Sequence, residues 1–263
     1  MEKKDFMFLG ITDCTEETLI NETLANIDQN KKSFCVAINT DLLRMSYKNK
    51  NFRKTINKAD YCIVDGKPLM WLSKIFRYKI KNKVSGSDLA MPLLKMLAKN
   101  NKKVLIVGGR EGVADKAKIE VNKEIGTEVI IDTICPEFGF EKDESKTKNL
   151  VSQINSSRAE VVFLCLGAPK QELFYENNKE LFDNKCFFCM GATVDFLAKN
   201  IKRAPKWMRK IGLEWFYRMC KEPRRLFKRY WLDFWFLIRI FNVRLFKKKK
   251  IRRMRNDYEE NSN

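Results

Sequence analysis

Short apolar runs alternate with longer amphipathic stretches through the first two hundred residues of the chain. Ser33–Asn39 (SFCVAIN), Tyr61–Asp65 (YCIVD), Lys103–Val107 (KVLIV), Glu128–Cys135, Val161–Leu166 (VVFLCL) and Cys186–Met190 are rich in Val, Ile, Phe and Cys and predict strands. Between them, helical patterns run from Thr40 to about Lys58, onward from Pro68, and from a Ser87 or Asp88 cap to about Lys99. Further helices are predicted for Val113 to Ile125, Asp143 to Ser156 and Pro169 to Phe182. Strands that are apolar on both faces and alternate with helices predict a parallel sheet covered on both sides, a Rossmann-like α/β body. Ligands of such sheets bind beyond the carboxyl ends of the strands. Asn39, Asp65-Gly66, Gly108-Gly109, Gly167 and Gly191 fall at those ends.

After residue 200 the pattern changes. Phe227, Trp231, Phe234, Ile238, Phe241 and Leu245 recur at helical spacing and form one apolar seam. Leu232, Phe236 and Val243 lie off that seam, so the helix is apolar over much of its circumference. The segment 201–263 holds 20 Lys and Arg against 6 Asp and Glu, which is +14 of the chain's +19. The chain therefore divides into a body, 1–200, and a basic aromatic appendage, 201–263. Tyr230 to Phe246 is too short and too charged to span a bilayer. With the polybasic runs Lys247–Lys250 and Arg252–Arg255 it suits an anionic membrane surface. Packing on the body or on a second copy of the chain is the plainer reading of the same seam.

Composition narrows the chemistry. There is no His in the 263 residues, so His-based catalysis and His metal sites are excluded, and proton transfer falls to a carboxylate, Lys, Tyr or Cys. The eight Cys form no CxxC pair and most sit in apolar runs, which fits a reducing cytoplasm without disulfides. The start MEKKDF lacks the apolar core of a signal peptide. No DxD motif and no cluster of carboxylates or thiols has metal spacing, so neither a metal nor another cofactor is expected.

Each strand end has an ordinary structural reading beside a functional one. Asp65, in VDGKPLMW, is either a helix N-cap or a partly shielded general base. GGREG at 108–112 is either a plain strand-to-helix turn or a phosphate cradle at a helix N-terminus. It falls short of a GxGxxG fingerprint. In LGAPKQE, Pro169 fixes a turn that projects Lys170 and Gln171 from a helix start toward an anion or amide-bearing ligand. In GATVDFLAKNIKRAPKWMRK, Gly191 and Asp195 surround another strand end, with Arg203 and Lys206 nearby.

These blocks, together with KVSGSDL and the stretch from Gly191 to Trp231, resemble the WecG/TagA/CpsF family, glycosyltransferase family 26, from about residue 5 to 231. The resemblance implies a membrane-associated, metal-independent, inverting enzyme on the inner face of the plasma membrane. Such an enzyme moves a sugar, often N-acetylmannosamine, from a UDP-sugar to an undecaprenyl-diphosphate-linked sugar in teichoic acid, common antigen or capsule synthesis. It also implies roles. Asp65 is the catalytic base, Asn39 the strand-end asparagine and Gln171 the pocket glutamine, while Arg218, Arg225 and Lys228 neutralise the UDP diphosphate. Lys228 keeps the charge of the family's third basic position but loses the bidentate fork. Ala37 replaces a common Thr, and Lys83 a usual Arg. Two rival classes make other expectations: a nucleotide-dependent oxidoreductase would use the GGREG unit, and a nucleic-acid-binding protein would spread its charge along a groove rather than in a tail.

Overall fold

Six strands, all parallel, make the central sheet of the computed structural model, which describes residues 1–260. The side chains of residues 206, 209, 210, 225 and 244–260 lie outside that description. Lys206, Arg225, Leu245 and the two polybasic runs are therefore expectations outside the described residues. The chain forms two compact units, Met1–Gly212 and Leu213–Asn263.

The first unit opens with a small antiparallel hairpin, β1 (Lys3–Phe6) and β2 (Leu9–Thr12), and helix α1 (Glu16–Asp28). Thr15 caps α1 by accepting from Thr18 N. β3 (Ser33–Ile38) enters the sheet. The amphipathic stretch after it is two helices, α2 (Thr40–Lys48) and α3 (Lys50–Lys58), where the sequence predicts one. Asn49 makes the break: its backbone is extended, and its side chain accepts from Asn51 N and Phe52 N to start the second helix. β4 (Tyr61–Val64), α4 (Lys67–Ile75) and α5 (Gly86–Lys99) follow. Ser85, not Ser87 or Asp88, caps α5, its Oγ accepting from Asp88 N. β5 (Val104–Gly108), α6 (Val113–Ile125), β6 (Ile130–Ile134) and α7 (Glu144–Ser156) match the predicted elements to within two residues. After β7 (Val161–Cys165), α8 (Lys170–Asn178) ends four residues short of the predicted Phe182, and a 3-10 turn at Lys179–Leu181 takes over. β8 (Cys186–Cys189) and a short α9 (Thr193–Leu197) complete the strand-bearing part, followed by α10 (Lys206–Ile211).

Strand order is β4-β3-β8-β7-β5-β6. Alternate strand residues face opposite layers, as the period of two requires. Cys35, Ile63, Ile106, Phe163 and Phe188 join a core cluster with Leu19, Leu93, Ala117 and Val194 from α1, α5, α6 and α9. Phe34 and Phe187 meet Tyr175 of α8 on the other face, the Phe34 and Tyr175 rings stacking at 3.8 Å. The expected sheet covered on both sides is thus the observed one. All eight cysteines are free, and six are buried.

The second unit holds α11 (Glu214–Lys221) and the long α12 (Pro223–Glu260). The predicted seam is an exposed side of α12: Phe227, Trp231 and Phe234 are each more than half exposed. The buried stripe is a different one, Leu226, Asp233, Phe236 and Ile240. Among the described residues no helix is long and apolar enough to cross a membrane.

Candidate active site

Register brings the strand ends level. Ile38 pairs with Val64, so Asn39 and Asp65 are the next residues on adjacent strands, about 5 Å apart in the pairing direction. Asp65 N donates to Ile38 O at 2.7 Å, extending the ladder one step past the strand. Read across the sheet, the tips are Asp65, Asn39, Gly191, Gly167 and Gly109. Between neighbouring strands the chain connections diverge at one place: β7 leads to β8 on one side, and β5 to β6 on the other. Doubly wound sheets hold ligands where such connections diverge.

The two tip side chains stand at helix starts of different kinds. Asn39 caps α2, its Oδ1 accepting from Leu42 N at 3.1 Å. Its amide NH2 has no hydrogen-bond partner among the described residues. The N-cap of α4 is Gly66, at φ 103°, and no side chain caps that helix. The capping reading of Asp65 therefore fails. Asp65 is half-buried at a helix start, where the helix dipole favours a charged acceptor.

Glycines let the tips pack closely. Gly108 has φ 105°, and a Cβ there would lie 2.7 Å from Cys165 C and O, so β7 dictates this glycine. Gly109 N donates to Cys165 O at 3.0 Å, which removes it as a free phosphate donor. A Cβ on Gly86, at the start of α5, would meet Met190 Sδ at 3.6 Å, Thr193 Oγ1 at 3.7 Å and Ala37 Cβ at 3.9 Å. α5, β3 and the end of β8 therefore converge beside the strand tips.

Gln171 is only 4% exposed. Its Oε1 accepts from Gly167 N at 3.2 Å and its Nε2 donates to Glu172 Oε1 at 2.9 Å, so it pins the turn after β7. A Cβ on Gly191 would lie 3.9 Å from the same Oε1, so the tip of β8 adjoins that carboxamide. Lys170 pairs with Glu141 at 3.1 Å and lies over the rings of Phe138 and Phe140. Asp195 is buried and faces Arg110 at 3.8 Å. Arg203 binds Asp88 at 2.7 Å and also Ser87 O and Oγ, while Lys83 holds the other Asp88 oxygen at 3.0 Å. Burial pushes the Asp88 carboxyl up, but Lys83 and Arg203 outweigh it and hold it below the ordinary value. Glu16 completes the cluster. Burial, then repulsion by Asp88, raises its carboxyl against the pull of the same two cations.

Sequence reasoning missed Glu172. It is fully buried beside Gln171, and burial pushes its carboxyl up to about 7. The sequence carries no signal for it, because Glu172 follows Lys170 and Gln171 in a polar start to α8. Arg218 lies in α11 and is half-buried; Lys228 lies in α12 and is exposed. No group of three or more Cys, Asp or Glu placed to hold a metal ion occurs among the described residues.

A six-stranded parallel sheet covered by helices on both faces, with a carboxylate and an asparagine at neighbouring tips, defines a Rossmann-like α/β fold. The sequence model of the "Glycosyl transferase WecG/TagA/CpsF family" matches residues 5–250. The chain belongs to that family and is a glycosyltransferase, not the oxidoreductase or nucleic-acid binder that the glycine turn and the basic tail also suggested. It is similar to the N-acetylglucosaminyldiphosphoundecaprenol N-acetyl-beta-D-mannosaminyltransferase of Bacillus subtilis (strain 168), 26% identical over 200 residues, which cover 76% of this chain and 75% of that one. The protein of the same description from Bacillus spizizenii (strain ATCC 23059 / NRRL B-14472 / W23) is 27% identical over 199 residues, with the same coverage.

Proposed function

We propose that this glycosyltransferase moves N-acetylmannosamine, or a related hexose, from a UDP-sugar to an undecaprenyl-diphosphate-linked sugar, with inversion and without a metal. The observation that carries the reading is the Asp65 carboxylate, level with Asn39 at the sheet edge and not used to cap α4. The Bacillus relatives, whose description names the lipid-linked acceptor and the mannosaminyl group, support the substrates.

In this mechanism Asp65 takes the proton of the acceptor hydroxyl as that oxygen bonds to the anomeric carbon from the face opposite UDP. The bond from that carbon to the UDP oxygen breaks, and UDP leaves with the electron pair. Negative charge then grows on the diphosphate, and fixed cations stabilise it most where water is excluded. Arg218, Arg225 and Lys228 are assigned that task. In this reading Asn39 orients the hydroxyl through its amide NH2. Gln171 shapes the sugar pocket through the turn it fixes, and Gly108, Gly109, Lys170, Asp195 and Arg203 are assigned to the wall of the site. The enzyme works on the cytoplasmic face of the membrane, held there by the basic aromatic appendage, and its product feeds cell-surface polysaccharide or teichoic acid.

The test is a panel of UDP-sugars, each incubated with the full-length protein, a prenyl-diphosphate-linked N-acetylglucosamine and a chelator. The expected product is the acceptor lipid plus one sugar residue, with inverted anomeric configuration. Dependence on a divalent ion, or retention of configuration, would overturn the corresponding part of the mechanism, and no transfer from any donor would overturn the whole.

A further inference from the structure

Along α4, which begins two residues after Asp65, the first unit carries an open hollow of about 650 Å³, within the ~300–1,000 Å³ of small-molecule sites. One wall is α4, whose Lys67, Met70, Trp71 and Lys74 share a face by their helical spacing. The other wall is the chain returning along that helix. Arg77 takes a left-handed φ of 58° just past the end of α4, and Tyr78 N donates to Ser73 O at 2.8 Å. Ser73 Oγ donates to Tyr78 O at 3.0 Å, which holds the returning chain in place. Ile80 is buried there, while Lys79 and Lys81 are exposed.

The lining is unusual in charge. It contains no acidic residue among the described ones. Lys4 at one end is paired with Asp13 at 2.7 Å, but the ammonium groups of Lys67, Lys74, Lys79 and Lys81 have no hydrogen bond or ion pair among the described residues. Four cations without a partner among the described residues surround an apolar floor and favour an anion there. The floor itself, with Trp71 half exposed, offers apolar surface to whatever carries that anion. Anion and apolar chain together describe an amphiphile.

We propose that this hollow holds the diphosphate and first isoprenoid units of the lipid-linked acceptor, an inference that rests on the transferase reading above. Position along the chain supplies the order. α4 begins two residues after Asp65, and Lys67 to Lys74 spans ~10 Å of helix. An acceptor whose hydroxyl meets Asp65 must carry its diphosphate one sugar ring away and its chain beyond. Along α4 the same order appears as carboxylate, lysine, then Met70 and Trp71. Gly212 secures the mouth: a Cβ there would lie 2.8 Å from Lys67 Cγ and 3.5 Å from Trp71 Cζ2, so its backbone packs on both stems.

The experiment is calorimetric titration of the full-length protein in detergent with farnesyl diphosphate as the probe. Lys67→Glu and Lys74→Glu should each weaken binding roughly tenfold or more, while Lys74→Arg retains it. Trp71→Ala should weaken farnesyl diphosphate and leave the affinity for inorganic diphosphate unchanged. These side chains are exposed or half-buried, and an unchanged Tm checks that each variant is folded. Unchanged probe affinity in both charge reversals overturns the proposal. So does loss of binding to phosphatidylglycerol vesicles with probe affinity intact, which would make the hollow a bilayer contact. Lysine-dependent probe binding by a protein that transfers no sugar would sustain the prenyl diphosphate site and reject the transferase reading instead.

Discussion

Replacing Glu172 by Gln should remove a pH dependence of stability that the wild-type fold carries. Glu172 is 0% exposed in the first turn of α8, and its Oε1 accepts from Gln171 Nε2. Burial raises its carboxyl from 4.5 to about 7, and bonds from Gln171, its own backbone and Cys189 only partly offset that rise. A raised carboxyl means the folded protein holds the proton more tightly than the unfolded chain. The associated stability is complete below about 4.5 and is lost as pH climbs through about 7. At 1.36 kcal/mol per pKa unit the difference amounts to roughly 3 kcal/mol across that window. A neutral glutamine side chain mimics the protonated acid at every pH. Urea unfolding followed by tryptophan fluorescence, at steps from pH 4.5 to 8, measures the effect as the difference between the two proteins. The variant should gain on the wild type by up to about 3 kcal/mol as pH rises. Parallel stability curves would refute the reasoning, since a solvated or fully paired carboxylate would titrate alike in both states.

Three further outcomes follow from local geometry. Gly108→Ala should lower stability by about 2 kcal/mol or more in denaturant titration, because its Cβ would strike the Cys165 backbone at a φ of 105°. Asn49→Ala should cost about 1 kcal/mol through loss of the α3 cap, measured the same way, and Asn49→Ser should recover most of it. Asp88→Asn should weaken the fold at neutral pH but not in acid, as denaturant titrations at the two pH values would show. Lys83 and Arg203 hold the Asp88 carboxyl low, so its contribution is present above the ordinary 3.8 and vanishes as pH falls through the depressed value.

The sheet was legible in the sequence because buried parallel strands leave uninterrupted apolar runs, and VVFLCL has no other plausible place than the interior. The amino-terminal hairpin was not, since KKDF and LGIT are four residues each and too short to show a period. The break at Asn49 escaped because no Gly or Pro marks it; a side-chain bond to two backbone amides starts the new helix instead. At the site, Asn39 and Asp65 were readable as polar residues ending apolar runs, and Gln171 as a residue at a helix start after the Pro169 turn. Burial of Glu172 was not, because one polar residue following another looks solvated. Nothing in the sequence singles out Lys67, Lys74, Lys79 and Lys81; the reversal at Arg77 brings two of them opposite the others.

The account turns on a strand-tip carboxylate acting as base, and Asp65→Asn tests it most directly. Transfer of sugar from the preferred UDP-sugar to the prenyl-diphosphate acceptor should be measured for both proteins at saturating substrates, with Tm matched. The substitution keeps the shape and removes the proton acceptor, so turnover should fall by about 10²–10⁴-fold while farnesyl diphosphate binding is unchanged. Wild-type turnover by the folded variant would contradict the account.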